Sequence, residues 1–65
     1  MIDNHLYDLM AQLVEENKSI WRIQNMYLVD TDTHAECQKF FSKLLDKKEE
    51  TVAELTQLIK YELVK

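Results

Sequence analysis

Two charged residues stand where the pattern asks for apolar ones. Glu16 falls in the row Leu6, Leu9, Leu13, Ile20, Ile23 and Tyr27, and Lys48 falls in the row Phe41, Leu45, Val52, Leu55 and Ile59. Steps of three and four put each row on one face of a helix. If the chain doubles back near residue 32, positions whose numbers sum to about 64 face each other, and Glu16 meets Lys48. A carboxylate and an ammonium in one apolar layer can form a structural core pair. Desolvation offsets much of its Coulomb energy, so its value lies in fixing register more than in stability. Glu49 beside Lys48 offers a second chemistry. Two hairpins packed together would bring two copies each of Glu16 and Glu49 near one axis, and facing bundle carboxylates of this kind hold metal, iron above all.

Other donors are sparse. His34 and Cys37 lie three apart on one helix face, with Asp30 and Asp32 nearby. Two ligands are too few for a structural zinc site unless a second chain supplies two more. A solvent-facing His34 and a half-buried Cys37 is the plainer expectation. His5, near a helix start, carries no signal. No nucleophile, base and orienting group occur together, so an enzyme acting on organic substrates is not expected.

The segment that must position these residues is Val29-Asp30-Thr31-Asp32-Thr33. Asp and Thr side chains take hydrogen bonds from nearby backbone N–H groups and favour turns and caps over helix interiors. Thr33 with Glu36 fits a capping box. The spacing predicts a helix over about 3–29, a turn over about 29–33 and a helix over about 33–64, all in one domain. Asp3 is the expected first N-cap, with Ile2 and Tyr7 as its hydrophobic staple. No glycine is present to end the first helix in a left-handed turn, so its end should tighten between Leu28 and Asp30. Asp46 and Glu49 also fit a capping pattern and would give three helices. The heptad from Leu45 to Val52 keeps its phase, which favours one continuous helix.

Outside the seam lies a second apolar set: Met10, Val14, Trp21 and Leu28 on the first helix, and Cys37, Phe40, Leu44 and Leu58 on the second. Together they make a face too wide for one partner helix. The interface expected from it is Met10, Val14, Trp21, Phe40, Leu44 and Leu58. Trp21 suits an anchor, because large aromatic side chains dominate burial energetics. The fold class is therefore all-α: an antiparallel two-helix hairpin expected to dimerise into a four-helix bundle.

Composition agrees. The 65 residues include no Gly and no Pro, the two residues most hostile to helix interiors. Apolar residues make up 46%, too many for a disordered tail. A core this small rarely supplies more than about 3–5 kcal/mol, and one cysteine cannot make an internal disulfide, so self-association is the expected remedy. A net charge of −4 with interspersed signs argues against nucleic acid as the main partner. No apolar run approaches the roughly 20 residues of a membrane span. The first residues have neither the basic nor the apolar stretch of a signal peptide. With a single cysteine, that points to a cytoplasmic setting.

At the charged layer the chain resembles ferritin-like and rubrerythrin-like helical hairpins. Those families carry Glu-x-x-Ala-x-x-x-Tyr on one helix and Glu-x-x-His on the next. Glu16-Asn17-Lys18-Ser19 followed by Ile23 is similar to the first motif, with Ser for Ala and Ile for Tyr. Asp46 to Leu55 is similar to the second, with Val52 where the histidine would stand. The resemblance implies a bundle of hairpins, with Glu16 and Glu49 as what is left of an iron site. In length and turn position the chain also resembles the small dimeric hairpins that bind RNA loops, for which it offers Lys18, Arg22 and Gln24. The chain thus carries three expectations: a non-catalytic assembly module that binds itself or a partner helix, a degenerate iron-binding bundle, and an RNA-binding regulatory hairpin. The first leads.

Overall fold

A computed structural model describes residues 3–64. Helix α1 spans Asn4–Arg22 and passes into a π-helical segment, Ile23–Tyr27, which continues as the single turn α2, Leu28–Asp30. Helix α3 spans Ala35–Leu63 without a break. Asp46 and Glu49 sit in its interior, so the three-helix alternative does not form: the apolar phase held by Leu45 and Val52 outweighs their capping tendency.

The two arms lie antiparallel in a body 48 × 16 × 12 Å. The smallest dimension is the diameter of one helix with its side chains, so both broad faces of the pair are open. Ile23, Leu55 and Ile59 are the buried apolar residues among those described. Leu6, Leu9, Leu13, Ile20, Tyr27, Phe41, Leu45 and Val52 line the rest of the seam, each half-buried.

The turn is built without left-handed backbone, for no described residue has positive φ. Thr31 ends the first arm at φ −108°, ψ 16°. Its N–H and its Oγ1 both donate to the Tyr27 carbonyl, at 3.1 and 2.7 Å. One short side chain thus does the work a glycine cap usually does. The expected capping box is absent. α3 starts at Ala35 with His34 as N-cap and no side-chain cap bond. Thr33 is then one residue too early, and Glu36 occupies the second helical position instead of the third. Asp3 is the N-cap of α1, yet its side chain makes no cap bond; its carbonyl accepts from Tyr7 N–H at 3.0 Å. The proposed staple partner Ile2 lies outside the described residues.

The π segment has no counterpart in the sequence expectation. Its i→i+5 bonding, seen where Leu28 N–H donates to the Ile23 carbonyl, takes in one extra residue and swings the rest of the arm back by about 100°. At the junction the Asn25 side-chain amide donates to the Trp21 carbonyl at 2.9 Å. Past it, both Tyr27 and Leu28 are half-buried. Tyr27 stacks at a tilt on Phe41, with ring centroids 5.0 Å apart, and Gln38 Nε2 donates to the Leu28 carbonyl at 3.2 Å.

Candidate interaction surface

The charged layer lies across the middle of the seam. Lys48 Nζ donates to Glu16 Oε2 at 2.8 Å, and Gln12 Nε2 donates to Glu16 Oε1 at 3.1 Å. The Glu16 side chain keeps 12% of its exposure and that of Lys48 26%, so the carboxylate is the deeper partner. Its pKa is held below the ordinary glutamate value by the Lys48 hydrogen bond, against the opposing effect of burial. Glu49 is exposed, about 100° further round α3 from the lysine that Glu16 meets. Among the described residues no three His, Cys, Asp or Glu side chains come together as a metal site. His34 and Cys37 are both exposed.

A second cross-arm pair went unseen in the sequence. His5 Nε2 lies 2.6 Å from Glu62 Oε1 at the open end. The pairing rule puts Ile59 at the level of His5, three residues short of Glu62. Glu62, moreover, sits in a polar stretch with no periodic signal.

These bonds fix which flank of each helix faces which way. At 100° per residue, His5, Gln12 and Glu16 fall within about 40° of one another on α1. Tyr7, Met10, Val14 and Trp21 fall within about 60° on its other flank, beyond the seam residues. On α3, Glu62 lies about 40° from Leu58 and in line with Leu44. The flank of α3 that carries Leu44 and Leu58 is therefore the one joined to His5. It follows that the α1 strip opens on one broad face of the hairpin and the α3 strip on the other. They do not merge into a single wide face. Val14 and Trp21 keep 52% and 58% of their exposure, Phe40 61% and Leu58 50%, while Met10 and Leu44 are half-buried.

The two strips also differ in kind. Between Tyr7 and Trp21 the α1 strip holds no charge, and its only polar neighbour is Asn17. Between Leu44 and Leu58, Lys47, Thr51 and Glu54 break the α3 strip. Tyr7, Met10, Ala11, Val14 and Glu15 enclose an open groove of about 430 Å³. No helix of the described residues is long and apolar enough to cross a membrane. Comparison with family models, with curated proteins and with solved structures found no match to this chain.

Proposed function

We propose that this chain is a small non-catalytic assembly module, a helical hairpin whose outer strips bind helices of a second copy or of a partner protein. One observation carries the reading: Val14, Trp21, Phe40 and Leu58 stand at least half exposed on a chain with three buried apolar residues. The chain exposes 5147 Å². A compact globular monomer of this mass exposes about 4400 Å², so the hairpin presents several hundred Å² that a folded chain of its size ordinarily hides. Two hairpins meeting on a broad face would make a four-helix bundle, with the Glu16–Lys48 layer setting the register of each arm. Light scattering on the purified chain across a hundredfold concentration range tests the reading, with helicity followed by circular dichroism. The expected result is a mass at or above twice 7.8 kDa that falls on dilution. A folded monomer at every concentration, with no apolar partner surface bound, would remove the reading's support.

A further inference from the structure

The α1 strip carries both a projection and a recess. In a coiled coil each side-chain knob enters a hole made by four residues of the facing helix, at positions i, i+3, i+4 and i+7. Tyr7, Met10, Ala11 and Val14 have that spacing, and with Glu15 they line the open groove of about 430 Å³. Ala11 forms its floor because its side chain is short. Ten residues along the same flank stands Trp21, the largest side chain of the protein, 58% exposed. Hole and knob lie on one helix, along one line free of charge.

From this we infer that the α1 strip is a self-complementary dimer interface: Trp21 of each copy enters the Tyr7–Met10–Ala11–Val14 hole of a second copy, with the two α1 helices antiparallel. The inference rests on the proposed assembly function and names its partner and its site. A two-fold contact of this kind uses the same patch twice and closes on itself. Setting Trp21 over Met10 and Ala11 places the axis near residue 16, with Val14 facing Asn17 of the second copy. Glu15 and Lys18 flank that axis on each chain. They form an exposed pair at 3.6 Å within one chain, and the two-fold brings opposite charges across the interface as well. The surplus exposed surface, about 800 Å², equals one partner's share of a standard interface. The α3 strip lacks these properties. Lys47 and Glu54 interrupt it, and no groove of this kind lies along it.

Ala11→Glu tests the inference without touching the seam. Ala11 is exposed, and glutamate is a good helix former, so the hairpin keeps its fold while the hole is filled by a charge. The expected result is a loss of self-affinity of at least about tenfold in sedimentation equilibrium, with unchanged helicity. Trp21, the single tryptophan, should shift its emission to the red over the same dilution range. Leu58→Glu, on the opposite face, should leave both readouts unchanged. If Ala11→Glu dimerises like the parent, or Leu58→Glu dissociates the dimer as strongly, the assignment to α1 is overturned while the assembly reading stands. A parent chain that is monomeric throughout overturns both.

Discussion

The two ends of the hairpin are joined by different chemistry. Near the turn the arms meet through packing and backbone bonds: Ile23 is fully buried, Tyr27 and Phe41 stack, and the Gln38 amide reaches the Leu28 carbonyl ten residues away. From the middle outward, two charge pairs join the arms, Glu16–Lys48 and then His5–Glu62, whose partners are 32 and 57 residues apart. Loop-closure entropy grows only logarithmically. Going from the turn contact to the open end, a little over two doublings of chain length, costs about 1.5 kcal/mol more. The closed end is therefore the cheaper place to begin association. The outer layers need some feature that selects one register among similar apolar ones, and the charged layer supplies it, because a slip of one heptad would set Glu16 or Lys48 against leucine or valine.

The largest effect expected from this contrast is at Ile23. Truncation to alanine leaves a cavity in a site with no exposure, at a cost of about 3 kcal/mol in urea unfolding. Ile59→Ala, nearer the open end and 9% exposed, should cost about 2 kcal/mol, since water and neighbouring side chains can relax into the gap. An Ile59 variant less stable than the Ile23 variant would reverse the ranking of the two ends.

Next comes the charged layer. Lys48→Leu leaves the deeper Glu16 carboxylate with Gln12 alone and should cost about 1–2 kcal/mol, discounted from the several kcal/mol of a fully buried broken pair. Glu16→Leu should cost less, because the lysine stem can carry its ammonium out to water. With both changed to leucine, stability should return to the parent value or exceed it. The register should then loosen, which is measurable as broadened amide resonances in residues 44–52. If the double variant is less stable than either single one, the layer contributes stability and the contrast between specificity and packing fails.

Most of this architecture was legible in the sequence. All the residues of the two stripes are buried or half-buried, because helical periodicity records a seam regardless of how the turn is made. The pairing of Glu16 with Lys48 followed from two interruptions at one level. The π segment was not legible: its cause is the fit of Tyr27 and Leu28 against α3, a tertiary demand with no local residue signature. The caps failed for a related reason. Asp3 and Thr33 have the right chemistry, but the chain direction at each helix start keeps their side chains from the backbone. That the two outer strips lie on opposite faces needed cross-arm bonds that periodicity alone does not supply.

Acid sharpens the role of the central layer. Glu16 has its pKa lowered in the folded hairpin, first by the Lys48 hydrogen bond. A depressed carboxylate contributes stability that is present above its unfolded pKa and is lost as pH falls through the lower, folded value. Thermal midpoints measured from neutral pH downward should fall over that acid window. In Glu16→Gln the fall should be shallower, since the amide has no proton to take up. An identical acid slope in the variant would mean that other carboxylates carry the whole effect.

The smallest effect belongs to the outermost pair. His5 and Glu62 lie 2.6 Å apart, but the imidazole keeps 60% of its side-chain exposure, and exposed ion pairs contribute only about 0–1 kcal/mol. The same end must hold the longest loop, so a short distance there does not by itself indicate a strong clasp. His5→Ala should shift the urea midpoint of global unfolding by less than about 0.5 kcal/mol. It should nonetheless speed amide exchange in the first turns of α1, because fraying there needs no disturbance of Ile23 or of the charged layer. A global loss as large as that of Lys48→Leu would show that the open end takes part in the cooperative core, and the division of the hairpin into a packed end and a registered end would no longer hold.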